Sequence, residues 1–179
     1  MEAKKQNVIL NYGLIGGLIS IVSFLILYMG GASLFVNPLA FIFYLVPITM
    51  AVLACRAKKK QNGGFLEFAE ALKTAFGVMV IMSLVSTIAT YIVLNIIDPS
   101  FRESLTQVTI EKTQEMMKKF GVPQADIDKK VQELATTNSF GIGKLLMQFA
   151  FGCILWFIVA LIISAIVKKK KPEFPGAVA

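Results

Sequence analysis

The chain has 179 residues, 56% of them hydrophobic, with a mean hydropathy of +0.70 and a formal net charge of +7. Soluble domains carry about 45–50% apolar residues, so this composition excludes an ordinary soluble globule. The chain contains no histidine, which excludes histidine-based metal sites and histidine general bases.

Four apolar runs without a single Asp, Glu, Lys or Arg set the frame: residues 8–28, 35–55, 76–97 and 145–167. A helix needs roughly 20 residues to cross a bilayer core. Hydrocarbon offers no partner for backbone groups, so each run is expected to be a spanning helix. The expected fold is therefore an all-α membrane protein of one domain, with four transmembrane helices in two antiparallel hairpins.

The first run follows Lys4 and Lys5. Its apolar stretch is longer than the 7–15 residues of a signal-peptide core, so a retained helix is expected. Gly13, Gly17 and Ser20 lie along one face, with Gly16 beside them, and small residues at this spacing let another helix approach closely. Residues 30–33, Gly-Gly-Ala-Ser, predict a very short turn into the second run. There Asn37 and Pro38 fit an N-cap followed by proline at the first helical position. Pro47 removes the usual donor to the Phe43 carbonyl, which predicts a kink inside the second span.

Arg56, Lys58, Lys59 and Lys60 follow the second run, and a Gln61-Asn62-Gly63-Gly64 turn leads onward. Residues 65–73 then alternate apolar and charged groups at helical spacing. Glu67, Glu70 and Lys73 share one face, and Phe65, Phe68, Ala69 and Leu72 the other. This pattern predicts an interfacial helical turn with a weak Glu70–Lys73 pair. The third run carries Ser83, Ser86, Thr87 and Thr90 along one stripe, expected to pack against the glycine face of the first span. A pore lining is the sharper alternative, but the stripe has no charge to select an ion.

Asp98-Pro99-Ser100 ends the third run. A helix can start there from Asp98, with Pro99 at its first position, or from Ser100 with Glu103 as a capping box. The segment 98–143 reads as two helices, about 100–120 and 123–137, broken at Gly121-Val122-Pro123. Phe101, Leu105, Val108, Met116 and Phe120 form the stripe of the first, and Ile127, Val131 and Leu134 that of the second. The fourth run lies between Lys144 and Lys168. The basic tail, 168–179, reads as disordered.

Charge gives the orientation. Lys4, Lys5, the 56–60 cluster, Lys73 and Lys168–Lys171 all flank span ends that four crossings place on one side. The opposite loop balances Arg102, Lys112, Lys118, Lys119, Lys129, Lys130 and Lys144 against Asp98, Glu103, Glu111, Glu115, Asp126, Asp128 and Glu133. Basic flanks stay in the cytoplasm, so both termini are expected inside and the two-helix insert outside it. The lipid bilayer is the expected partner, with anionic lipids at the basic clusters, at about 1 kcal/mol per cation. Another membrane protein, or self-association, is the second expected contact. Nucleic acid is not expected, since no aromatic or glycine motif interleaves the lysines.

The order of these parts resembles a bacterial membrane family described as domain of unknown function four-one-nine-nine. The resemblance rests on Gly64-Phe65-x-Glu67-Phe68-x-Glu70-Ala71-x-Lys73-Thr74 at the entry to the third span and Ile97-Asp98-Pro99-Ser100-Phe101 at its exit. The charged helical insert before the last span also matches. It implies four helices and a bacterial inner-membrane location, and it implies no activity, cofactor or site residues.

Glu67, Glu70 and Lys73 on one side, and Asp98 with Asn95 on the other, are the polar groups that could converge. No nucleophile–base spacing, phosphate loop or metal-ligand cluster accompanies them, so the protein is not expected to be an enzyme and no cofactor is expected. Cys55 and Cys153 read as small buried hydrophobes. The sequence favours an accessory or scaffold protein that offers the 98–143 helices to a partner, with Glu67, Glu70, Lys73 and Asp98 as interfacial contacts. A small oligomeric transporter or channel component is the alternative.

Overall fold

The computed structural model describes residues 7–171. The expectations for Lys4, Lys5 and residues 172–179 lie outside that range. In chain order the elements are α1 (Val8–Met29), α2 (Ala32–Phe35), a 3-10 segment (Pro38–Tyr44), α3 (Leu45–Gln61), α4 (Phe68–Ile92), a π-helical turn (Val93–Ile97), α5 (Pro99–Lys119), α6 (Gln124–Thr136) and α7 (Ile142–Val167). Four continuous stretches are long and apolar enough to cross a membrane: Val8–Met29, Pro38–Gln61, Phe68–Ile97 and Ile142–Val167.

Helix α4 is the hub. It packs against α1, α3 and α7, while α1 and α7 do not touch each other. The spans are thus gathered on one central helix, with α3 also against α1 and α7. Small residues explain the choice, because helices in lipid associate by close approach and not by hydrophobic drive. Ala51, Ala54 and Cys55 of α3, Ala71 and Ala75 of α4, and Ala160 of α7 are fully buried. On the α1 side, a Cβ placed on Gly13 would lie 2.8 Å from Ile81 Cβ, and one on Gly17 2.9 Å from Val85 Cγ1.

Several boundaries differ from the sequence reading. The turn after α1 is not minimal: Gly31 takes a φ of 84°, and the extra helical turn α2 follows. Asn37 caps as expected, accepting from Leu39 N at 2.9 Å, but it opens a 3-10 segment. The expected kink at Pro47 is instead a change of helix type completed at Leu45. Pro47 then occupies the first turn of α3, where no intrahelical donor is required. Helix α4 starts at Phe68, because the amphipathic turn continues into the span without a breaker.

Two helices end in Schellman caps, which need a left-handed residue. Gly63 (φ 70°) closes α3, with Gly64 N donating to Lys59 O at 2.9 Å. Gly121 (φ 69°) closes α5, with Val122 N donating to Met117 O at 3.0 Å. The start of α5 is the Asp98 alternative, with Pro99 in its first turn. Helices α5 and α6 lie on each other, burying Leu105 and Ile127. The outer part of the α5 stripe is not covered, and Met116 and Phe120 are exposed.

A close-packed seam has a measurable consequence. Gly13→Ala gains about 1 kcal/mol of helix propensity but overpacks against β-branched Ile81, which typically costs about 1–3 kcal/mol. It is expected to lower the melting temperature in detergent micelles, as is Gly17→Ala against Val85. Gly143→Ala, where an added Cβ meets open space, is expected to leave it unchanged or raise it.

Candidate functional site

Two polar knots and a cavity between them hold most of the residues that sequence alone singles out. At one end of the bundle lie the start of α1, the end of α3, the start of α4 and the end of α7. Arg56, Lys58, Lys59, Lys60, Lys73 and Lys168–Lys171 are gathered there. Leu66 and Lys169 form an antiparallel bridge, with Leu66 N to Lys169 O at 2.9 Å and Lys169 N to Leu66 O at 2.8 Å. Lys59 Nζ donates to the Val167 carbonyl at 3.1 Å, satisfying a C-terminal acceptor of α7. Lys168 and Lys169 lie 5.8 and 5.6 Å from the ring centroids of Phe68 and Phe65. The chain just after α7 is thus tied back to the entry of α4 at Lys168 and Lys169.

Glu70 reaches across to α3 rather than along its own helix to Lys73. Its carboxylate lies 3.3 Å from Lys58 Nζ and accepts from Asn62 Nδ2 at 2.6 Å. The interhelical pair is available because the Schellman cap turns the chain back beside α4. Glu67 and Lys73 are exposed on this same end.

At the far end, Asp98 is built into the structure of its own chain. It caps α5 by accepting from Phe101 N at 3.0 Å, and it accepts from Ser100 Oγ at 2.5 Å and from Tyr28 Oη at 2.8 Å. Tyr28 and Phe101 also stack edge-on at 4.6 Å, with Phe35 at 5.7 Å from Phe101. Asn95 donates to the Phe140 carbonyl at 2.9 Å and accepts from Arg102 Nη1 at 3.1 Å. These bonds join the ends of α1 and α4, the root of α5 and the strap before α7.

Between the knots, a half-open cavity of about 480 Å³ is lined by the hydroxyl stripe of α4, Ser20 and Ser23 of α1, and aromatic side chains. Ser83, Ser86, Thr87 and Thr90 face this space. The α1 glycines meet Ile81, Met82 and Val85 in place of the hydroxyls. Ser20 and Ser23 bond back to Gly16 O and Ile19 O at 3.0 and 2.9 Å, whereas none of the four α4 hydroxyls hydrogen-bonds a described residue. A groove of about 620 Å³ adjoins it along α7, sharing Tyr44, Gln148, Gly152 and Trp156. No charged side chain lines the cavity itself.

The cavity and the Tyr28–Asp98 bond are what sequence reasoning missed. One signal was present: α1 and α4 run in the same direction, so the polar groups at their far ends, Tyr28 and Asp98, must finish at one level. Among the described residues no three His, Cys, Asp or Glu side chains form a cluster that could hold a metal ion. Cys55 and Cys153 are free thiols.

The Ser100 hydroxyl, the Tyr28 hydroxyl and the Phe101 amide hold the Asp98 carboxyl below its ordinary range. A carboxyl held low adds stability that is fully present above its unfolded value, about 4, and is lost as pH falls through the folded value. The melting temperature is expected to be flat near neutrality and to drop in acid. Asp98→Asn should flatten part of that acid limb, and Tyr28→Phe should shorten it, in thermal melts taken across pH.

No curated protein and no solved structure matches the chain. A family model described as protein of unknown function (DUF4199) matches residues 11–169, and both quoted motifs fall within it as the two knots. With nearly the whole chain covered, this membrane-embedded helical protein belongs to that family.

Proposed function

We propose that this protein is a non-enzymatic accessory or scaffold component of a bacterial inner membrane, presenting the α5–α6 hairpin to another membrane component. One observation carries the reading. The root of the hairpin is fixed by Asp98 and Arg102, while its outer half touches no spanning helix and exposes Met116 and Phe120, 55% and 81% accessible. An amphipathic hairpin held rigidly at one end, with apolar side chains at the other, suits recognition better than catalysis. The gathered lysines supply a cytoplasmic orientation and an anionic-lipid contact at the opposite end.

A transporter or channel component is the weaker reading. Ser83, Thr87 and Thr90 face a cavity within one chain, and the fully buried layer of Ala51, Cys55, Ala71, Ala75 and Met79 lies on its basic-end side.

Two measurements test the reading. A photo-crosslinking residue at Phe120 is expected to give a discrete adduct in native membranes, while one at Leu18, exposed on the outer face of α1, gives none. The same pattern at both positions, or no adduct at either, would reject it. For orientation, a cysteine at Phe120 should react with an impermeant maleimide added outside intact, outer-membrane-permeabilised cells, and one at Lys170 should not.

A further inference from the structure

The α4 hydroxyls present an unusual arrangement for a hydrocarbon environment. A hydroxyl in a spanning helix commonly satisfies itself on the carbonyl four residues earlier. Ser20, Ser23, Thr74 and Ser164 all do so here, at 2.6–3.0 Å. Ser83, Ser86, Thr87 and Thr90 instead direct four donor–acceptor groups into one cavity that carries no charge. Aromatic side chains from α1, α2, the 3-10 segment and α7, among them Phe43, Phe149 and Trp156, complete its walls. At about 480 Å³ it falls within the range of small-molecule sites, which combine apolar walls with a few placed polar groups. The adjoining groove provides a second, mainly apolar compartment walled by Met147, Phe151, Leu155 and Val159 of α7, with Glu133 and Lys144 at its outer end, away from the hydroxyls.

We propose that the cavity binds an uncharged, lipid-soluble molecule whose carbonyl or hydroxyl group bonds the α4 hydroxyls while its hydrocarbon part lies in the groove along α7. The absence of charge selects the ligand class. A phosphate or ammonium head group drawn to this depth would find no counter-charge and would lose its hydration. A neutral head group finds both donors and acceptors, since each hydroxyl can serve as either. The buried layer toward the basic end makes the space a pocket and not a passage. The hairpin enters only at the outer mouth of the groove, where Glu133 and Leu134 of α6 form part of the wall.

Trp156 lines both compartments and is the sole tryptophan of the chain, so its fluorescence reports occupancy directly. The full chain in phosphatidylcholine nanodiscs would be titrated with a diacylglycerol brominated on its acyl chains, and separately with decylbenzoquinone. Phosphatidylcholine with the same brominated chains is the reference. Quenching by at least one neutral probe is expected to saturate at low mole fraction, whereas the reference rises without saturation. Whichever probe saturates assigns the head group as glycerol hydroxyl or ring carbonyl. The Ser83→Ala/Ser86→Ala/Thr87→Val/Thr90→Val variant should weaken the saturable phase by roughly tenfold or more. Gly152→Leu, at a position where an added Cβ meets open space, should abolish it while the helical circular dichroism is retained. Equal, unsaturable quenching by all three probes would overturn the proposal, as would an unchanged saturable phase in the folded Gly152→Leu variant.

Discussion

In hydrocarbon a helix gains nothing by hiding apolar side chains from lipid, so the bundle depends on how closely backbones can approach. That constraint explains why α4 lies at the centre. Each of its seams has small residues on at least one side: the α1 glycines, Ala51, Ala54 and Cys55 of α3, and Ala160 and Ser164 of α7. Larger side chains such as Met79, Met82 and Val78 then fill the remaining space without exposure. Away from this layer α1 and α7 stay apart, and the helices enclose a cavity instead of a core.

The ends of the spans obey a second requirement, since every helix leaves unpaired backbone groups at its termini. Here those groups are met by side chains that also join one span to another. Lys59 at the end of α3 serves the last turn of α7, and Asp98 serves the first turn of its own helix α5 while accepting from Tyr28 of α1. Residues that look like charged decoration in a linear reading are therefore fasteners. The two motifs that carry the family resemblance coincide with these places: the 64–74 stretch forms the basic-end knot and the 97–101 stretch forms the far-end one.

Spans, caps and the hairpin break were legible because each depends on local chemistry. Absence of charge marked the four crossings, Asn37 and Asp98 marked helix starts, and Gly121 marked the turn between α5 and α6. The helix-type change at Leu45 and the π turn at Val93–Ile97 were not legible, because composition alone does not distinguish α from tighter or wider winding in an apolar run. Partner choice was also hidden. Glu70 has Lys73 one turn away and Lys58 across a loop, and only the turn geometry at Gly63 decides between them. The hydroxyl stripe was visible as a stripe, but which neighbour it faced depended on the rotation of α4. Ile81, Met82 and Val85 took the glycine face and turned the hydroxyls aside.

The cavity and the hairpin share one piece of structure. Phe140 lines the cavity, its carbonyl accepts from Asn95, and Asn95 in turn accepts from Arg102 near the root of α5. Asn95 lies in the π turn, where the ladder is already widened and Asp98 N reaches back to Val93 O at 2.8 Å. A change in the space beneath Phe140 therefore meets a short hydrogen-bonded relay instead of a loose connection. The polar groups that sequence reasoning treats as isolated far-side residues are, in three dimensions, the joint between the four-span bundle and the α5–α6 hairpin.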